Sequence, residues 1–124
     1  MNDKITKEYL RKHPDHIFVF GDNFQRMGYG GAASLRDEPN TYGFITKKYP
    51  DYDNGSYYTV DEYKLTYITE IIRLKYEIKK KTDKIFLISK LGAGLANKYH
   101  IFEKIIEPNI KKDLLEFKNV RFLW

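Results

Sequence analysis

A strand that runs into a glycine-rich loop and then into a helix start constrains a fold more than any other short stretch, and Phe18–Leu35, FVFGDNFQRMGYGGAASL, reads that way. The apolar run Ile17–Phe20 ends at Gly21-Asp22-Asn23, turn formers because Gly tolerates positive φ and Asp and Asn bond nearby backbone. A buried strand is therefore expected to stop at Phe20. Gly28, Gly30 and Gly31 follow, then Ala32-Ala33-Ser34-Leu35, small residues that let a helix begin against a neighbouring backbone or ligand. Such a junction gathers unpaired N–H groups and the positive end of the helix dipole at one point, which suits an anion.

The second half repeats this grammar. Lys84–Ile88 is an apolar strand, and Gly92-Ala93-Gly94-Leu95 follows it. In an open parallel sheet both loops leave from the carboxyl edge, where such folds bind ligands. Two glycine loops at one edge would suit a diphosphate. The string Gly28-x-Gly30-x-x-Ala33 fits a dinucleotide fingerprint only loosely, because Gly28 lies eight positions beyond Phe20 and the fingerprint's first turn is tight. Neither loop ends in Gly-Lys-Ser/Thr, which excludes a P-loop. The plainer alternative is that these glycines merely make turns.

With 124 residues, 42% of them hydrophobic and 31% charged, the chain suits one ordinary globular domain spanning residues 1–124. No apolar run approaches a membrane span, and MNDKITKEYL has no signal-peptide core. Cysteine is absent, which removes disulfides and zinc-thiolate sites and suits a reducing compartment, so a cytoplasmic protein without a membrane partner is expected. The formal charge of +5 favours a polyanion or a phosphate-bearing ligand. A solvated basic face is the competing explanation, since Lys75, Lys79, Lys80, Lys81, Lys111 and Lys112 fall late in expected helices, where cations offset the dipole.

In order, Thr6–Lys12 reads as a short amphipathic helix with Tyr9 and Leu10 inward, closed by His13-Pro14. His13 and His16 are read as structural or surface residues. Tyr42–Thr46 is a second strand ending in Lys47-Lys48, at the same edge as the glycine loops. Residues 47–58 form a long loop whose Tyr49, Tyr52, Tyr57 and Tyr58 offer stacking surface. Thr59-x-x-Glu62 is a capping box before a long helix with Tyr63, Tyr67, Ile68, Ile71, Ile72, Leu74 and Ile78 in its apolar stripe, read as core. Ile101–Ile106 has helical spacing, Pro108 is placed as the first residue of a further helix through Leu115, and Asn119–Trp124 supplies a last strand. The fold class is α/β, a small three-layer α/β/α sandwich with a mostly parallel sheet.

The two glycine loops and the lysine-ended strand, in this order, resemble the macrodomain family of ADP-ribose-binding modules, nearest its terminal ADP-ribose protein glycohydrolase branch. Arg26-Met27-Gly28-Tyr29-Gly30-Gly31-Ala32 is similar to that branch's RMGxGIA loop, Tyr42–Lys48 to its strand ending in ITKK, and Ile88–Leu95 to its phosphate loop PRIGCGL. The resemblance runs from about Phe18 to the end. It departs in lacking the family's additional N-terminal strands, missing or replaced here by the Met1–Lys12 segment, and in a shortened connection before the ITKK-like strand.

The resemblance implies ADP-ribose or a related nucleotide as ligand, bound by Arg26, Met27, Gly28, Gly30, Gly31, Ala32, Lys90, Gly92, Ala93, Gly94 and Leu95. Asn23 would meet the distal ribose, with Tyr99 stacking on it, and no metal or other cofactor is implied. In the glycohydrolase branch a lysine and an aspartate form the catalytic pair. Lys47 matches the lysine, whereas Ala96 stands at the aspartate position, leaving Asp22 as the candidate general base. Enzymatic release of ADP-ribose from a modified protein or nucleic acid, non-catalytic capture of a nucleotide signal, and nucleic-acid binding are thus the three expectations.

Overall fold

The computed structural model describes residues 4–124. Its centre is a four-stranded, wholly parallel sheet in the order β2-β1-β3-β4, built from β1 (His16–Asn23), β2 (Thr41–Lys47), β3 (Ile85–Ile88) and β4 (Val120–Phe122). The α/β class expected from the sequence is the one observed.

Alternation along the strands divides the core into two layers. Ile17, Val19, Phe86 and Ile88 face one way, against Tyr63, Leu74 and Ile78 of α2 (Val60–Lys80) and Ile110 of α3 (Glu107–Asp113). Phe18, Phe20 and Leu87 face the other way, against Leu10 of α1 (Lys7–Lys12) and Ala33 and Leu35 of a 3-10 turn, Gly31–Leu35. Helical segments therefore cover both faces. The segment Met1–Lys12, considered as a stand-in for further strands, is helical over Lys7–Lys12 with Thr6 as its N-cap; Met1–Asp3 lie outside the described residues.

Strand order places the edge expected to bind a ligand. From β1 the chain steps sideways to β2, and α2 then carries it back past β1 to β3. The loops leaving β1 and β3 thus diverge at their carboxyl ends and open a crevice between them. The opposite edge is closed by two carboxamides. Asn40 Nδ2 donates to the carbonyls of Leu10, His13 and His16 at 2.9, 3.1 and 2.9 Å. Asn119 Nδ2 reaches those of Ile78, Lys81 and Lys84.

Several sequence expectations change. β1 does not stop at Phe20: Gly21 and Asp22 pair with Phe44 and Ile45 of β2, and the register breaks only at Asn23. In α2 the capping box is present, with Thr59 and Glu62 each bonding the other's backbone N–H. Ile68 and Ile72, assigned to its core stripe, are instead 54% and 62% exposed. Pro108 lies in the first turn of α3, as placed, and that helix ends at Asp113 rather than Leu115. A π-helical turn, Phe102–Ile106, runs directly into α3, accommodating a residue that cannot donate to the preceding turn. The last strand is confined to Val120–Phe122, although Leu123 N still donates to Ile88 O at 2.9 Å.

Candidate functional site

The crevice between the β1 and β3 loops is a cleft of about 510 Å³, in the size range of small-molecule sites. One wall is the segment Met27–Ala33, the other Ser89–Leu91 with Gly92, Gly94, Leu95 and Ala96, and Thr46 and Lys47 at the end of β2 stand beside them. The walls approach closely: a Cβ on Gly30 would lie 3.2 Å from Leu95 Cδ1. Gly92 adopts φ +77°, and a Cβ there would come within 2.6 Å of Ile106 Cδ1, so the turn onto the second wall requires glycine. Around Gly94 there is open space.

Of the residues expected to bind ligand, Asn23, Met27, Gly28, Gly30, Gly31, Ala32, Lys90, Gly92, Gly94 and Leu95 line this cleft together with Asp22 and Lys47. Arg26, Ala93 and Tyr99 do not. Arg26, in the left-handed region at φ 55°, turns its guanidinium onto Asp22 Oδ2 at 3.3 Å and Gly43 O at 3.2 Å. Ala93 packs against the core, and Tyr99 lies beneath Lys98, whose Nζ is 6.0 Å from its ring centre.

Asp22 is buried and braced rather than free. Its Oδ1 takes the Asn23 N–H at 2.8 Å and the Arg36 guanidinium at 2.7 Å, while Oδ2 faces Arg26. Both oxygens thus have donors. Asn23 is similarly engaged: its Nδ2 donates to Met27 O at 2.6 Å and its Oδ1 accepts from Gln25 N at 3.0 Å, folding the first wall. Arg36, which sequence reasoning missed, ties that wall down by donating to the carbonyls of Gly28 and Met27 at 2.9 and 3.1 Å. A basic residue directly after the short helical turn was the available signal.

Lys47 is buried at the cleft floor. Its Nζ donates to Asp51 O at 2.8 Å and lies 4.6 and 5.0 Å from the ring centres of Tyr57 and Tyr52. Burial lowers its pKa, and the neighbouring Asp51 opposes that shift in part. Lys48, expected at the same edge, turns away to Glu62 Oε2 at 2.8 Å. The 47–58 loop divides likewise: Tyr57 and Tyr58 are buried, whereas Tyr49 and Tyr52 are exposed, and Tyr52 joins Pro50 in lining the cleft. Ala96, at the position of the expected aspartate, is buried; the following Asn97 accepts from Phe102 N and donates to Glu103, capping the next helical segment. Among the described lining residues Asp22 is the one carboxylate.

His13 and His16 lie at the far end of β1. His16 is buried with Nδ1 2.8 Å from the Tyr9 hydroxyl, its pKa lowered by burial, and one ligand atom from each of His13, Asp15 and His16 lies within 4.8 Å of the others.

Fold and cleft together define a small parallel α/β protein with a crevice at its strand-order reversal. Residues 1–98, which include the whole lining of the cleft, match the model of a family described as a family of unknown function (DUF7831), and the chain belongs to that family. No curated protein and no solved structure was found to match it. Among the described residues no helix is long and apolar enough to cross a membrane.

Proposed function

We propose that the cleft binds ADP-ribose or a related nucleoside diphosphate, as the macrodomain-like motifs imply, with the diphosphate lying across the two glycine loops. The observation that carries this reading is the convergence of two backbone loops from adjacent parallel strands on one crevice that also contains the Lys47 amine. Backbone N–H groups with the lysines Lys47 and Lys90 suit a diphosphate better than a bulky apolar ligand. Tyr29 and Tyr52, exposed at the mouth, supply faces for a base or ribose.

Capture without turnover is the favoured form, because both Asp22 oxygens already accept from donors and Ala96 has no acid–base function. A hydrolytic reading is favoured by Lys47, whose lowered pKa suits attack on, or stabilisation of, an opened sugar. Titration calorimetry of the full chain with ADP-ribose and with AMP tests the binding. Micromolar affinity that needs the whole ribose–diphosphate–ribose unit and is lost in Gly94→Glu is expected, and failure of both ligands to bind overturns the assignment. Release of ADP-ribose from a modified substrate, abolished in Lys47→Ala, would establish the hydrolytic form instead.

A further inference from the structure

The face of α2 opposite the core carries a second apolar stripe. Leu65, Ile68, Ile72 and Tyr76 are 72%, 54%, 62% and 63% exposed, and belong to neither core cluster. A helix facing water on this side has no need of them, and contiguous exposed apolar surface on a soluble domain marks an interaction site. Asp61, Leu65, Ile68, Ile72, Lys75 and Lys79 follow one another at alternating spacings of four and three. That is the spacing of a coiled-coil seam.

Charge decides the occupant and its direction. The seam begins at Asp61, whose side chain is 92% exposed, and ends at Lys75 and exposed Lys79, with the apolar residues between. A parallel copy would set Asp61 on Asp61 and Lys79 on Lys79. An antiparallel copy related by a two-fold axis level with residue 70 sets Asp61 against Lys79 at both ends, Ile68 against Ile72, and Leu65 beside Tyr76. It also opposes the two helix dipoles. We infer that this face of α2 binds a second copy of the chain, as an antiparallel α2–α2 dimer.

Sedimentation equilibrium of the full chain, with thermal melts as a folding control, tests this. The expected result is a monomer–dimer equilibrium in the micromolar range, as befits one helix pair with a short apolar centre. Ile72→Glu is expected to weaken it at least tenfold without lowering the melting temperature. Asp61→Lys and Lys79→Glu should each weaken it, and their combination should restore it. In the cysteine-free chain, a mixture of Ile68→Cys and Ile72→Cys proteins should cross-link to each other in preference to themselves. A monomer at millimolar concentration, a dimer indifferent to Ile72→Glu, or preferential self-cross-linking of Ile68→Cys each overturns the inference.

Discussion

Gly43 lies directly beneath the Asp22 carboxylate, and a Cβ at position 43 would overlap Asp22 Oδ2. The missing side chain on β2 is therefore what lets a buried carboxylate on β1 turn toward Arg36 and Arg26. Gly43→Ala is expected to displace the carboxylate and break the buried pair with Arg36, at a cost of about 3–5 kcal/mol, since an uncompensated buried charge remains. Urea unfolding measures this. A loss below about 1 kcal/mol would show that the strands relax around the methyl group.

The two glycines of the second wall should respond differently. Gly92→Ala meets both a left-handed backbone and the Ile106 methyl, and should destabilise the fold by roughly 1–3 kcal/mol. Gly94→Ala points its methyl into open space and should leave the melting temperature within a degree or two while weakening any cleft ligand. Paired melts and calorimetry separate the outcomes.

Lys47 sets a pH dependence with a definite sign. Its folded pKa lies below the ordinary 10.5 because burial disfavours the ammonium, so between those two values the unfolded chain holds more protons. Stability contributed at this site therefore rises with pH through that window. The stability of wild type relative to Lys47→Met should climb as the pH rises toward the ordinary lysine value of 10.5, read from urea midpoints. A flat difference would mean that the amine is not desolvated in solution.

Thr59 begins α2 by accepting from Glu62 N at 3.3 Å, while Glu62 Oε1 accepts from Thr59 N at 3.0 Å. Thr59→Ala should cost about 1 kcal/mol. Because Glu62 also holds Lys48, the double variant Thr59→Ala/Lys48→Ala should exceed the sum of the single changes if cap and ion pair support each other. Strict additivity would make them independent.

Local rules served where the chemistry is local. Thr59 and Glu62 announce a helix start within four residues, and the glycines at 28–31 and 92–94 announce two turns leaving strands. The failures involve partners distant in sequence. Gly21 and Asp22 look like turn residues until Gly43 makes room for their strand to continue. Lys48 repeats Lys47 in sequence, yet alternation along the strand end sends it to Glu62 on another element. Ile68 and Ile72 have helical spacing from one another, and spacing alone does not say which of two apolar faces meets the sheet.

The central place of β1 has a consequence for how the molecule comes into being. The second partner of β1, Ile85–Ile88, lies beyond the whole of α2 in the chain. Until that distant strand emerges, Val19 and Phe20 have at most a single neighbour in the sheet, and the cleft has only its first wall. Non-local pairing of this kind is slow to form. Nascent chains halted before β3 should be readily digested by proteases and unable to retain a ligand, and both properties should change together once the second glycine loop has been made.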